Sequence, residues 1–240
     1  MIPLHDDNPT RIKPIFTITI IAFCVLVFFY QSSLGPKTGQ VFVYQYGAIP
    51  AVIFGFESLP AEVQAIPASF SLLTSMFLHG GLMHLIGNML YLWIFGNNIE
   101  DAMGHGRFVL FYLLCGVLAA LSHALTDPSS QLPMIGASGA ISGVLGAYIL
   151  LYPRARVLVL IPLGFFTRLM YIPAGFVLGI WFLFQLISGG ISVGQSGGGV
   201  AWFAHAGGFV AGMVLVGLFK YRSVRFFNPP HYHSRKFEPW

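Results

Sequence analysis

Long apolar runs broken by short polar stretches dominate the chain. A helix needs about 20 mainly apolar residues to cross the hydrocarbon core of a bilayer. Six runs approach that length: Pro14–Leu34, Leu82–Ile99, Phe108–Leu125, Ile135–Tyr152, Tyr171–Ile187 and Val200–Phe219. They predict an all-α membrane protein, a six-transmembrane-helix bundle over residues 14–220, with tails at 1–13 and 221–240. A further apolar stretch, Val157–Phe166, is too short to span and contains Pro162 and Gly164, so it reads as interfacial or as part of a loop. Arg11 and Lys13 flank the first run, but the run is long and no small-x-small site follows Tyr30, so it reads as an uncleaved anchor rather than a signal peptide.

Composition agrees with this pattern. Of 240 residues, 56% are hydrophobic and 8% charged, against roughly 25% charged in soluble domains. Cys24 and Cys115 both lie inside apolar runs and suggest neither a disulfide framework nor a metal site. The net charge of +4 gains meaning from its distribution. With six crossings, eleven of the twelve Lys and Arg residues fall on one side and only Lys37 on the other. Cytoplasmic loops collect basic residues, so both termini are expected in the cytoplasm, by default at the plasma (inner) membrane. The basic excess is then a topology signal and gives no reason to expect a nucleic-acid partner. The outer side carries the long first loop, Gly35 to Gly81, a short loop at Thr126–Met134, and the glycine-rich "SGGISVGQSGGG", which reads as a mobile connector or a lid.

Polar side chains inside a membrane are costly and tend to mark function. No Asp or Glu lies mid-span. His84 and Asn88 do, four residues apart and so on one helix face. Taken alone the pair could be an interhelical polar clasp. Ser138 sits a few residues into the fourth run and His205 a few into the sixth, both entered from the outer side. At 1.5 Å per residue, both lie within ~10 Å of the outer boundary. Three helices therefore deliver His84, Asn88, Ser138 and His205 to one depth. A serine hydroxyl needs an adjacent base, which His205 can supply, returning the proton to the leaving amine. The developing oxyanion needs preorganised donors, for which the Ser138 N–H, His84 and Asn88 are candidates. No acid is well placed to orient His205; Asp127 is on the correct side only. The expectation is a Ser–His dyad. Glycines at 139, 143, 208 and 212 form small-xxx-small faces that let the fourth and sixth helices approach closely.

These residues resemble the rhomboid family of intramembrane serine proteases. "GASG" at 136–139 is similar to its G-x-S-G nucleophile motif, "AHAGGFVAG" at 204–212 to its final-helix A-H-x-x-G-x-x-x-G, and "HLIGN" at 84–88 to its H-x-x-x-N. "FLHGG" before the last of these and "EDAMGHGR" after it resemble the flanking segments, where Glu100 and Arg107 would be structural. The similarity covers about residues 69–215. It implies Ser138 as nucleophile, His205 as base, no cofactor or metal, and transmembrane proteins as substrates. Three sites depart from many members: Phe70-Ser71 where they have Trp-Arg, Ser142 where an aromatic ring stacks on the catalytic histidine, and Gly87, just before Asn88, where the residue is often bulkier.

The expected function is an intramembrane serine endopeptidase, working among membrane lipid with its active site toward the outer face. A zinc protease would want H-E-x-x-H, which "HGGLMH" lacks, and an aspartyl type would want two intramembrane Asp. The remaining alternatives are an inactive rhomboid-like membrane-protein binder and a small-molecule transporter with broken helices.

Overall fold

The computed structural model describes residues 1–163, 166–192 and 200–228. The chain is mostly helical: α1 (Ile15–Ser33), α2 (Gly35–Tyr46), α3 (Pro50–Ile53), α4 (Ala68–Thr74) with a following 3-10 turn (Ser75–Phe77), α5 (Leu82–Met103), α6 (His105–Ala124), α7 (Ser138–Leu151), α8 (Ala174–Ser192) and α9 (Trp202–Phe219). Among the described residues, α1, α6, α8 and α9 are each long and apolar enough to cross a bilayer. α4 with its 3-10 turn and α5 pass the same test as a pair bent by 83°. The count from length and composition is thus four, or five with the bent pair, rather than the six expected. The shortfall is α7: its 14 residues rise only ~21 Å at 1.5 Å each. The helix stops at Tyr152 because Pro153 follows and cannot continue it.

The first loop is more ordered than its sequence announced, with α2, α3 and α4 inside it. The glycine-rich segment begins as a continuation of α8 to Ser192, and the lid expected in its remainder falls outside the described residues.

The all-α expectation needs correcting. A three-stranded antiparallel sheet, β1 (Ile2–Asp6), β2 (Arg156–Leu163) and β3 (Phe166–Pro173), pairs in the order β1-β2-β3. The stretch read as loop is strand because Val157, Val159 and Ile161 recur with period two, which suits a sheet, while Pro162 bars a helix. Ile2 stands opposite Leu160 and Val157 opposite Ile172, with a bulge between Pro3 and His5. Val157, Val159, Pro3 and Asp6 are buried. The Tyr148 hydroxyl of α7 donates to Asp6 at 2.5 Å.

One end of the bundle is stitched by backbone and side-chain bonds. Glu100, fully buried, accepts the Phe16 and Thr17 amides and the Thr17 hydroxyl at 2.7–2.9 Å and meets His105 Nδ1 at 2.6 Å. It thereby caps α1, whose first-turn amides have no partner within the helix. Asp101 accepts the Arg11 and Ile12 amides. The Tyr221 amide donates to Ala102 O, and Phe227 and Asn228 to Leu150 O and Leu151 O.

α7 packs against α5, α6 and α9, and 11 of its 14 residues are buried, so it is shielded from lipid on most sides. Its contact with α9 is backbone on backbone. A Cβ at Gly208 would collide with the Gly139 carbonyl, one at Gly212 with the Gly143 carbonyl, and one at Gly146 with the Phe209 carbonyl. The expected glycine faces on 139/143 and 208/212 therefore meet, extended by Gly146.

Gly212→Leu should destabilise by more than the ~1–3 kcal/mol of ordinary overpacking, because the obstacle is backbone that cannot rotate away. Val210→Leu, on an exposed position of the same helix, should leave the midpoint nearly unchanged; thermal unfolding in detergent reads both. A second expectation concerns Asp6. Burial raises its carboxyl from 3.8 to about 6 against the opposing pull of the Tyr148 hydroxyl. The folded state thus holds the proton more tightly, so this group's stabilisation is complete below pH ~4 and is lost as pH rises through 6. Asp6→Asn should remove that decline in a pH series of melting curves.

Candidate active site

The segment leading into α7 is fixed before the helix begins. Gly136 has φ +127°, a conformation that favours glycine, and its amide donates to Ser75 O at 2.9 Å. A Cβ there would also lie 2.8 Å from the His84 ring. Ala48 pairs with Met134 as an isolated antiparallel bridge, and Thr74 Oγ1 donates to Tyr46 O at 2.6 Å. The first loop thus buttresses the approach to Ser138. Ser138 opens α7, where backbone N–H groups lack intrahelical partners.

His205 lies in the first turn of α9. Its Nε2 stands 2.7 Å from Ser138 Oγ and its Nδ1 2.7 Å from Gln185 Oε1 on α8. Gln185 is buried, and its Nε2 donates to Trp181 O at 3.3 Å. Ser138 and His205 are half-buried, so both are held by packing yet open on one side. Trp181 lies 6.0 Å from the His205 ring in a tilted arrangement, and Trp202 meets it edge-on at 6.3 Å. Aromatic neighbours of the imidazole are therefore supplied by α8 and α9. Ser142 is turned elsewhere: its hydroxyl donates to Ser138 O at 2.6 Å, one turn back.

At the start of α5, His84 Nδ1 accepts the Gly80 amide at 3.3 Å. A neutral imidazole has one N–H, so His84 carries it on Nε2, the atom against Gly136. His79, fully buried, sits edge-on to His84 at 5.2 Å. Asn88 is buried and donates to the His84 carbonyl at 2.9 Å within its own helix. Among the described residues, neither side chain forms a direct hydrogen bond to another spanning helix, as a clasp would require. Asp127 accepts the Ser129 hydroxyl at 2.9 Å and has no hydrogen bond to His205. Ser138, His205 and His84 thus converge, Asn88 lies one turn along from His84, and Asp127 stands apart. Gln185 and Trp181 escaped the sequence reading. Gln185 is the lone amide side chain in the apolar run of α8, which was the available signal. Among the described residues no group of three or more His, Cys, Asp or Glu could hold a metal ion.

Comparison with known proteins bears on this arrangement. Residues 68–222, about two thirds of the chain, match the family model for the rhomboid domain. The chain belongs to the rhomboid family. With its apolar helices, that makes it a multi-pass membrane protein. Rhomboid protease GluP of Bacillus subtilis is 37% identical over 135 residues, covering 56% of this chain and 24% of that protein. Rhomboid protein 1, mitochondrial, of Saccharomyces cerevisiae is 29% identical over 134 residues, 50% of this chain and 39% of the relative. Presenilin-associated rhomboid-like protein, mitochondrial, of Bos taurus is 33% identical over 141 residues, 55% and 36% respectively. This rhomboid chain spans between about a quarter and two fifths of these relatives' lengths.

Proposed function

We propose that this rhomboid is an intramembrane serine endopeptidase, hydrolysing peptide bonds in or near transmembrane segments of other proteins. The observation that carries the reading is the 2.7 Å separation of Ser138 Oγ and His205 Nε2, within the range a nucleophile and its base require. In this reading His205 removes the Ser138 proton as Oγ attacks the scissile carbonyl. The Ser138 N–H and the His84 Nε2–H receive the oxyanion, with Asn88 as a further donor through its second amide hydrogen. His205 then protonates the leaving amine, and water releases the acyl group by the same steps in reverse order. A substrate helix hides its carbonyls in hydrogen bonds, so it must unwind locally, which favours segments with small or helix-breaking residues.

Strand pairing supports six crossings. Hydrogen bonds cannot span a ~30 Å hydrocarbon core, so β1 and β2 share one side and an even number of crossings separates them. α1, the α4–α5 pair and α6 give three, and α7 supplies the fourth. A short spanning element is accommodated by local thinning of the bilayer. α8 and α9 then bring the total to six. The side that carries the sheet, Arg11, Arg107, Arg156 and Lys220 is read as cytoplasmic, and the Ser138 end as facing outward at the plasma membrane.

Ser138→Ala and His205→Ala should each reduce cleavage of a single-span reporter in proteoliposomes to background, and Ser138→Ala should abolish fluorophosphonate labelling. Cleavage by either variant at the wild-type rate rejects the assignment. His84→Ala should lower kcat by ~10²–10³-fold, as loss of one oxyanion donor does. Asn88→Ala should cost less, because its amide is already engaged with the His84 carbonyl.

A further inference from the structure

Gln185 is out of keeping with its helix. Its neighbours Phe184, Leu186 and Ile187 are exposed on the bundle's surface, whereas Gln185 is only 4% exposed and turned toward α9. An amide buried at this depth needs partners at both ends, and it has them. The nitrogen end donates to Trp181 O, one turn back in α8. That contact leaves Oε1 directed at His205 Nδ1, 2.7 Å away.

A carbonyl oxygen can only accept, so the bond requires the proton of neutral His205 to sit on Nδ1. Nε2 is then a lone pair, and the Ser138 hydroxyl 2.7 Å from it must be the donor. This is the arrangement in which the imidazole can take a proton from serine. The other tautomer would present an N–H to Ser138 and could not act as base. The same bond restrains rotation of the ring, because turning the imidazole over would bring a C–H to the amide oxygen.

We propose that Gln185 is a positioning residue for His205: its side-chain oxygen selects the Nδ1–H tautomer and fixes the ring plane, so that Nε2 remains free for the Ser138 proton. The proposal rests on the Ser138–His205 reading above. It assigns to an uncharged amide the task that a carboxylate performs in water-soluble serine hydrolases. The choice suits the surroundings. No Asp or Glu lies within the spanning segments near His205, and an ionised carboxylate at membrane depth is costly to hold. The amide offers a partial negative charge without that cost. When His205 gains the serine proton, its Nδ1–H becomes a stronger donor, and the bond to Oε1 strengthens with it. No proton passes to Gln185. α8 therefore takes part in catalysis without supplying an atom to the bonds made or broken. The other titratable groups near His205 are His84 on α5 and His123 on α6.

Three variants in proteoliposomes test this. Gln185→Leu removes the acceptor and should lower kcat about 10–100-fold, as loss of a partner that orients a functional histidine does, with KM unchanged. Gln185→Asn withdraws the amide by one methylene and should behave alike, which guards against a leucine variant that fails to fold. Gln185→Glu restores an acceptor to Nδ1. It should recover activity to within a few-fold of wild type and move the acidic limb of the kcat profile to higher pH, because a carboxylate favours the imidazolium. A purely structural glutamine would show neither the rescue nor the shift. The ¹⁵N spectrum of histidine-labelled protein supplies a readout independent of turnover: wild-type His205 should show one tautomer with the proton on Nδ1, and Gln185→Asn a mixture. Gln185→Leu or Gln185→Asn cleaving with wild-type kcat, or an unchanged His205 tautomer in Gln185→Asn, overturns the positioning role while leaving Ser138 and His205 in place. A wild-type protein whose Ser138 resists fluorophosphonate and that cleaves no reporter overturns the dyad reading, and this proposal with it.

Discussion

Lipid offers little hydrophobic drive for one helix to pack on another, so helices in a membrane associate through close van der Waals fit. Here that fit is most demanding between α7 and α9, where the carbonyls of Gly139, Gly143 and Phe209 occupy the space a Cβ would need on the facing glycines. The contact leaves no freedom in the separation of the two helices and little in their register. Ser138 and His205 each stand near the start of their helix, at the same end of this glycine seam. The seam thus sets the distance between hydroxyl and imidazole before any hydrogen bond is made.

Around that fixed pair the remaining parts are adjustable, and the fold restrains them one at a time. His84 is held by the Gly80 amide on one nitrogen and by Gly136 against its ring. Gly136 is held by Ser75, and Met134 before it by Ala48. Two tryptophans flank the His205 ring. At the opposite end the restraint is hydrogen-bonded: Glu100 engages the start of α1 and His105 through its two carboxylate oxygens. Arg107 lies over the Tyr221 ring, with its guanidinium carbon 5.1 Å from the centroid.

Much of this could be read from the residues. Apolar runs located most of the long helices, and period and depth brought His84, Ser138 and His205 to one end. What escaped was decided by partners distant in the chain. Ile2–Asp6 carries no pattern of its own, since its strand character comes from β2, to which it is joined across separations near 150 residues. Gln185 was visible as a lone amide, but only the approach of α8 to α9 shows that it faces an imidazole. Ser142 stands where many members carry a ring, whereas its hydroxyl folds back on the Ser138 carbonyl of its own helix. The shortness of α7 was masked because the apolar composition continues past Pro153 into residues that fold as strand.

The sheet also bears on how the chain is assembled. β1 is synthesised long before the strand it pairs with, and β3, which flanks β2 on its other edge, comes later still. Until β2 is made, after α1, α5, α6 and α7, the N-terminal segment has no strand to pair with, and its backbone donors and acceptors are left to water. Its docking is a late step, and because Asp6 joins the hydroxyl of Tyr148 on α7, that step closes over the far end of the helix that carries Ser138.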